Sequence, residues 1–419
     1  MSFMDWIDER FPATKVWNEH LAQYYAPKNF NFWYFFGSLA MLVLVMQIVT
    51  GVWLAMLYKP SAADAFASVE YIMRDVDYGW LLRYLHSTGS SAFFLVVYLH
   101  MFRALIYGSH RRPRELLWII GVIIYVAMMA TAFMGYLLPW GQMSYWGAQV
   151  IVNLFAAFPF GIGEPLSIWI RGDYVISDAT LNRFFALHFL LPFVLAALVF
   201  IHIVALHKVG SNNPDGVEIK NHKDENGIPL DGIPFHPYYT VKDLYGMGVF
   251  LLVFFAVVFF APNLLGEPDN YIEANPLATP AHIVPEWYFM PYYAILRSIP
   301  HKLLGVIAMF GSQLILLLLP WIDRSPVKSA RFRPIYKWLF WAFVVVCVVL
   351  GYIGAKPPEG WYVVVGRIAT AAYFLFFVAV YFLSYIERPK PLPASISEPV
   401  LKGGGSPAGA RAKPMEKAR

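Results

Sequence analysis

The chain has 419 residues, of which 58% are hydrophobic and only 14% charged, a composition too apolar for an ordinary soluble protein of this length. Its net charge of +5 lies mainly between the apolar segments and in the tail, which indicates membrane orientation and argues against nucleic-acid binding. Because Cys347 is the only cysteine, the composition excludes disulfides, cysteine-ligated zinc or iron–sulfur sites and a covalently attached haem. We therefore expect an integral membrane protein.

The segment 1–32 is polar and aromatic rather than continuously apolar. It contains the charged residues Asp5, Asp8, Glu9, Arg10 and Lys15. It lacks the short apolar core, followed by small residues, that marks a cleaved signal peptide. We therefore expect this segment to lie on the cytoplasmic side or at the membrane interface.

Eight apolar segments then reach the length of a membrane-spanning helix. They are 33–57, 83–107, 115–137, 183–207, 244–262, 303–321, 336–355 and 362–386. Arginine and lysine are concentrated after the second, fourth and sixth segments, and the alternate loops contain fewer. The positive-inside rule therefore predicts a multi-pass protein with both termini in the cytoplasm.

The second and fourth segments each contain two histidines fourteen residues apart, which are His86 with His100 and His188 with His202. In an α-helix this spacing puts both side chains on one face, about 21 Å apart along the axis. Both segments run from outside to inside, so His86 and His188 lie at the same depth near the outer face. His100 and His202 likewise lie at the same depth near the inner face. A lone histidine in an apolar helix is more often a packed core residue than a metal ligand. Four histidines at two matched depths instead favour two irons, each held between two imidazoles. The pattern predicts a membrane cytochrome with two stacked irons.

The first and third segments contain glycines with the same fourteen-residue spacing. These are Gly37 with Gly51 and Gly121 with Gly135. Since these segments run opposite to the histidine segments, Gly51 and Gly135 fall at the outer depth and the other two at the inner depth. Ordinary small-residue helix packing is the alternative, but the match in depth favours glycines that let a porphyrin approach the backbone.

Two arginines lie one helical turn from the histidines, each nearer its own membrane face. Arg83 precedes His86 and Arg103 follows His100. Either they bind haem propionates or they extend toward the membrane surface, and the sequence leaves both interpretations open.

Further motifs complete the pattern. They are P-W-G-Q-M-S-Y-W-G-A at 139–148, G-S-N-N-P at 210–214, F-H-P-Y-Y-T-x-K-D at 235–243 and P-E-W-Y at 285–288. With the histidines and glycines they resemble the cytochrome b subunit of the respiratory cytochrome bc complex, complex III, over roughly residues 30–386. The resemblance implies an all-α membrane protein with eight transmembrane helices, the first four forming a bundle around two b-type haems. It also implies a core subunit of a quinol:cytochrome c oxidoreductase that oxidises quinol near the outer face and reduces quinone near the inner face.

The P-E-W-Y loop holds one carboxylate, Glu286, among aromatic residues. Apolar surroundings raise the proton affinity of a carboxylate, so Glu286 is the candidate base that takes a proton from quinol; a satisfied carboxylate at a helix start is the alternative. By resemblance Tyr288, Tyr293, Tyr136 and Gly147 line or shape the same pocket. The stretch around Gly147 predicts a short amphipathic helix at the membrane surface, although its aromatic residues also fit an interfacial belt.

The resemblance places the inner quinone site at His207, Ser211, Lys242 and Asp243. Reduction of a quinone consumes two protons, so His207 and Asp243 are expected to bond to its two carbonyl oxygens and supply them. A solvated ion pair is the alternative for Lys242 and Asp243. His207 stands five residues after His202 and so faces another direction, which argues against a role as a third ligand on that helix.

A quinol gives up two electrons, whereas a haem b takes one, and the cysteine content leaves no iron–sulfur centre in this chain. The resemblance therefore implies partners, a Rieske iron–sulfur subunit and a cytochrome c-type subunit, which take the other electron. It further implies two non-covalent haems b as cofactors, ubiquinol and ubiquinone as substrates, and a homodimer of the whole complex in the lipid membrane. Proton release outside and uptake inside would contribute to the proton gradient.

The sequence divides into four regions: 1–32, the diheme bundle 33–243, the C-terminal helices with the quinol loop 244–386, and a flexible cytoplasmic tail 387–419. A long polar stretch after Val217 and the Pro-, Gly-, Lys- and Arg-rich tail are typical of flexible bacterial segments, so we expect a bacterial inner membrane. Two other classes remain open. A diheme anchor of a dehydrogenase would not need the P-E-W-Y loop, and a transporter would not need the doubled fourteen-residue spacing.

Overall fold

The computed structural model describes residues 2–398, and helices dominate that range. In chain order they are α1 (Phe3–Asp8), α2 (Ala13–Trp17), α3 (Phe35–Ala55), α4 (Ala65–Arg74), α5 (Gly79–Ile106), α6 (Glu115–Leu137), α7 (Gln142–Phe155), α8 (Gly163–Arg171), α9 (Asp178–Val209), α10 (Thr240–Phe260), α11 (Met290–Ser298), α12 (Lys302–Ile322), α13 (Pro334–Gly354) and α14 (Gly360–Ile386). Two short strands, β1 (Tyr25–Pro27) and β2 (Gly232–Pro234), and several short 3-10 and π-helical turns complete the described secondary structure.

Eight of these helices in the described range are long and apolar enough to cross a membrane, namely α3, α5, α6, α9, α10, α12, α13 and α14. The predicted eight-helix fold is therefore confirmed. The largest differences lie at the starts of two spans. The fourth begins at Asp178, earlier than the apolar run indicates, because polar residues continue α9 beyond the hydrophobic stretch. The fifth begins at Phe235 when the short helical turn Phe235–Tyr239, which directly precedes α10, is counted with it.

The first four spans form two tightly packed pairs, α3 with α5 and α6 with α9. Each glycine helix thus lies against one histidine helix. The space between the pairs is filled at mid-depth by buried side chains from all four, including Val43, Phe94, Tyr125 and Leu195. Of the other four spans, α10 packs against α3 and α5, and α12, α13 and α14 pack around the short helix α11. Leu350 and Val380 are fully buried between these last helices.

The loops after α5, α9 and α12 lie on the face that we call the inner face, and the opposite face is the outer face. Buried charges join the loops after α5 and α12 to the end of α14 in what we call the inner network, which consists of His110, Asp323, Arg333 and Glu387. Asp323 after α12 lies 3.3 Å from His110 Nε2 after α5 and accepts a hydrogen bond at 2.8 Å from Arg333 before α13. Arg333 also donates to Glu387, which follows α14, at 3.1 Å. The network therefore joins the bundle to the C-terminal helices.

The strands fasten the N-terminal segment to the loop between α9 and α10. They pair antiparallel, with Ala26 opposite Ile233. The residues after α14 reach the same place. Within 387–398, which the sequence assigns to a flexible tail, Ile396 N donates to the Asp231 carboxylate at 2.7 Å. The rest of that predicted tail, 399–419, lies outside the described residues.

Candidate functional site

The outer histidines face each other across the bundle. The ring centroids of His86 and His188 are 6.1 Å apart. His188 Nδ1 lies 2.8 Å from the Thr131 carbonyl oxygen, which can only accept, so Nδ1 carries the proton. The Thr50 hydroxyl donates to the Met46 carbonyl, so at 2.9 Å it accepts from His86 Nδ1. Each imidazole therefore keeps the Nε2 lone pair for a metal.

Each of the four histidines lies against the glycine predicted at its depth. A Cβ atom built on Gly51 would stand 3.0 Å from His86 Cε1, and one built on Gly135 would overlap the His188 ring. At the inner level a Cβ on Gly37 would lie 3.3 Å from His100 Cε1, and a Cβ on Gly121 would lie 3.3 Å from His202 Cε1. Because glycine has no side chain, each of these four positions leaves space for the facing imidazole ring.

The two arginines lie at different levels. Arg103 places its guanidinium 4.8 Å above the Tyr34 ring and 3.2 Å from His100 Nδ1. Its buried Nε has no hydrogen-bond partner among the described residues. A buried cation without a carboxylate calls for an anion, which a haem propionate would supply. Arg83 lines the outer cavity described next.

A cavity of about 310 Å³ opens beside the outer histidine pair. Its lining includes His86, His188, Arg83, Tyr136 and Glu286. The residues that sequence analysis assigns to an iron and those that it assigns to quinol therefore line one compartment.

Glu286 is the acidic group that the P-E-W-Y loop presents to the cavity. Burial raises the pKa of its carboxyl to about 8, although the positive charge of Arg83 opposes that rise. The Tyr288 hydroxyl donates a hydrogen bond to the Glu286 carboxyl. A carboxyl with this pKa can take up and release a proton near neutral pH.

Tyr136 is fixed by a residue that sequence analysis did not single out. Asn270 Nδ2 donates to the Tyr136 hydroxyl at 2.8 Å, and Asn270 Oδ1 accepts from Ser144 N at 2.8 Å. Asn270 thus ties the cavity wall to the start of α7. It lies in the irregular stretch between α10 and α11, where no periodic pattern could have pointed to it.

Two predicted outer-site residues lie outside the lining of this cavity. The Tyr293 hydroxyl donates to the Ile283 carbonyl at 3.3 Å, and the Arg297 guanidinium covers its ring at 4.3 Å. Gly147 is buried in α7, where an added Cβ would meet no described atom within 4 Å. The structure therefore joins Glu286 and Tyr136 in one compartment, whereas Tyr293 and Gly147 do not line it.

Buried tyrosines attach the P-E-W-Y loop to the bundle. Tyr98 of α5 donates to the Tyr288 carbonyl oxygen at 2.6 Å, and its hydroxyl lies 3.1 Å from that of Tyr125. The Tyr125 hydroxyl is in turn 2.7 Å from that of Tyr292. The loop is thereby fixed to a histidine helix. Sequence analysis missed these tyrosines, because isolated aromatic residues in apolar helices carry no distinguishing pattern.

The predicted inner-site residues lie at the ends of α9 and α10. His207 and Ser211 both contact Tyr24 of the N-terminal segment. Lys242 Nζ donates to the Phe30 carbonyl at 2.9 Å, and Asp243 lies beside Ser38 of α3. The structure thus brings both pairs against residues 24–38, a part of the chain in which sequence analysis assigned a site role to Gly37 alone.

Two family models match large parts of this chain. The family model for Cytochrome b/b6/petB matches residues 21–210, and the model for Cytochrome b(C-terminal)/b6/petD matches residues 273–374. The chain belongs to the cytochrome b family. Membership of this family implies binding of haem b, and the four histidines with their facing glycines fit that group.

Characterised members of the cytochrome b family match over almost the whole chain. The cytochrome b of Allochromatium vinosum is 62% identical over 406 residues, covering 94% of this chain and 98% of that protein. The cytochrome b of Rhodospirillum rubrum is 55% identical over 398 residues, covering 95% and 96%. A chain of a hyperthermophilic respiratory complex III superposes with a TM-score of 0.86 at 42% identity, covering 92% of this chain and 99% of that chain.

Proposed function

We propose that the chain is the diheme cytochrome b subunit of a respiratory complex III, the quinol:cytochrome c oxidoreductase. The observation that carries the proposal is the outer cavity, in which the facing imidazoles of His86 and His188 and the carboxyl of Glu286 line one compartment. High identity to cytochrome b proteins and superposition on a complex III chain support the same function.

Two haems b would be held non-covalently at two depths. His86 and His188 would bind the outer iron, and His100 and His202 the inner iron. Gly51 and Gly135 would face the outer porphyrin, as Gly37 and Gly121 would face the inner one. Arg83 and Arg103 would pair with propionates. When bound, each haem supplies a site that takes one electron at a time, so the stack would conduct across the membrane.

At the outer face, Glu286 is the proposed base for a quinol hydroxyl. Its raised pKa suits it to take the proton and later release it outward. Tyr288 orients the carboxyl through its hydrogen bond, and Tyr136 forms another wall of the cavity. Tyr293 and Gly147, which do not line the cavity, would shape the site only from outside its lining. The second electron of the quinol needs a one-electron acceptor outside this chain.

At the inner face, His207 and Asp243 are the proposed partners of the two quinone carbonyl oxygens, with Ser211 and Lys242 beside them. These residues lie at the helix ends that face the cytoplasm on the proposed topology, where protons can be drawn from water. Release at one face and uptake at the other would build a proton gradient.

The proposal includes partners and a location. A Rieske iron–sulfur subunit and a cytochrome c-type subunit would accept the second electron, and the complex would be a homodimer. We place it in a bacterial inner membrane with both termini in the cytoplasm, because basic residues are concentrated in the inner-face loops. Ubiquinol and ubiquinone are the proposed substrates.

The haem assignment is tested by reduced-minus-oxidised absorption spectroscopy of the purified complex with a His188→Ala variant. We expect two b-type components in the parent chain and loss of the outer one in the variant, because only His86 would remain of the two residues that would hold the outer iron. His222→Ala, an exposed histidine in the loop before β2, is the matched control and should keep both. A complex without b-type absorption, or without quinol oxidation, would overturn the proposed function.

A further inference from the structure

The N-terminal segment crosses the inner face and reaches the end of α9. Pairing of β1 with β2 holds residues 25–27, and the Phe235 amide donates to the Tyr24 carbonyl at 2.8 Å. Tyr24 is therefore fixed at the end of the strand pair. Its side chain points toward the residues that follow the inner histidine, His202, along the same helix.

Tyr24 contacts two of the proposed quinone partners at once. Its ring centroid lies 4.5 Å from that of His207, with the planes tilted by 34°. Its hydroxyl lies 3.0 Å from Ser211 Oγ and accepts a hydrogen bond from Ser211 N at 3.2 Å. The Tyr24 side chain therefore covers one face of the His207 ring and contacts both the hydroxyl and the backbone amide of Ser211.

The segment that carries Tyr24 is anchored from three parts of the chain. Lys28 Nζ lies 2.8 Å from Asp231, which is almost fully buried. The same carboxylate accepts hydrogen bonds from Ile396 N at 2.7 Å and from Ser397 Oγ at 3.0 Å. Burial alone would raise the pKa of Asp231, but these donors and Lys28 hold it below its usual value. We call residues 24–28, 231–235 and 394–398 the inner clasp.

We propose that Tyr24 is a positioning residue of the inner quinone site. Its ring sets the plane of the His207 imidazole and its hydroxyl sets Ser211, so both groups are oriented before a quinone arrives. Orientation in advance lowers the entropy cost of binding. The inference rests on the proposed function of the inner face and gives the N-terminal segment a part in it.

The test compares Tyr24→Phe with the parent complex. Chemically reduced haems are re-oxidised with a short-chain ubiquinone in a stopped-flow instrument, with Glu286→Gln in both proteins to suppress exchange at the outer face. Loss of the two hydrogen bonds between the Tyr24 hydroxyl and Ser211 should raise the KM for the quinone about 3- to 10-fold and leave kcat unchanged. Tyr24→Leu, which also removes the ring, should raise the KM further and lower kcat.

Tyr25→Phe is the matched control, because it removes the hydroxyl of the neighbouring tyrosine in β1; it should behave as the parent does. Haem content verifies that each variant assembles. A KM in Tyr24→Phe equal to that of the control would overturn the inference, as would a lower KM in Tyr24→Leu, which would mean that the ring obstructs the site. A parent complex that fails to reduce quinone would instead contradict the proposed function.

Discussion

Glu286 shows how the surroundings of one side chain set its chemistry. A carboxyl with an ordinary pKa would be ionised at neutral pH and would hold a quinol proton too weakly. Burial raises the pKa of Glu286 to about 8, while Arg83 limits the rise. Both proton uptake from a substrate and later release are therefore accessible near neutral pH.

This pKa gives a pH prediction. Only the ionised carboxylate accepts a proton, so the rate of quinol oxidation should rise as the pH increases through about 8 and then level off. In Glu286→Gln the rate should fall on the order of 100-fold and the rise should disappear, since the amide cannot act as a base. The measurement is quinol-dependent cytochrome c reduction between about pH 6 and 10, with haem content checked by absorption.

Glu164→Gln is the control, because Glu164 is an exposed carboxylate in the first turn of α8. It should keep both the rate and the pH profile. If Glu286→Gln turned over like the parent, Glu286 would not be the base.

Some site residues could be foreseen from the sequence and others could not. His86 and His188 stand out because polar rings in apolar helices need a partner, and because their spacing repeats. Asn270 and Tyr98 could not be foreseen. Their roles depend on which loop lies beside which helix, and a single sequence does not contain that information.

At the scale of elements, the fourteen-residue spacing of the glycines and of the histidines sets how the helices of each pair pack against each other. In α3 and α6 the glycines lie level with the histidines of α5 and α9, so an added methyl group would push on an imidazole. The eight spans and this registry follow from hydrophobicity and helix geometry. Both were predicted, and the structure contains them.

The closeness of each contact gives a graded prediction. Gly135→Ala should remove most of the outer haem, because its Cβ would overlap the His188 ring. Gly121→Ala should cost less haem, since its Cβ would lie 3.3 Å from His202. Haem content per chain and the absorption of the two b-type components measure this.

The matched control for the glycine series is Gly248→Ala in α10, where an added Cβ would meet no described atom within 4 Å. It should bind both haems as the parent does. Equal haem loss in all three variants would mean that the substitutions act through general instability and not through the imidazoles.

The strand pair β1–β2 marks the limit of sequence reasoning at this scale. Three-residue strands rich in proline and glycine lack the alternating pattern from which strands are recognised. The N-terminal segment consequently has an inner-face position that composition alone did not indicate.

At the scale of the molecule, the inner network joins regions distant in sequence. Burial alone would raise the pKa of Asp323, but His110, Arg333 and Arg111 hold it well below its usual value. A carboxyl with a lowered pKa stabilises the fold fully above its unfolded pKa of 3.8. That contribution is lost only as the pH falls toward the lowered pKa, so it is complete at neutral pH.

Removal of one partner should therefore destabilise the whole protein. Arg333→Met leaves Asp323 and Glu387 buried without their shared cation, and such losses cost about 3–5 kcal/mol. We expect a lower Tm for the detergent-solubilised complex, followed by circular dichroism. Lys15→Ala, which breaks the exposed pair of Lys15 with Glu19, is the control and should leave Tm unchanged. An unchanged Tm in Arg333→Met would contradict a stabilising role for the network.

The inner clasp also has a consequence for the order in which the protein is made. Asp231 needs Lys28 from the beginning of the chain and Ile396 from near its end, so the clasp cannot close until the ribosome has synthesised nearly the whole chain. The facing pair His86 and His188 is complete once the fourth span has been inserted. During biogenesis the outer face can therefore take its final form early, whereas the inner face is finished last.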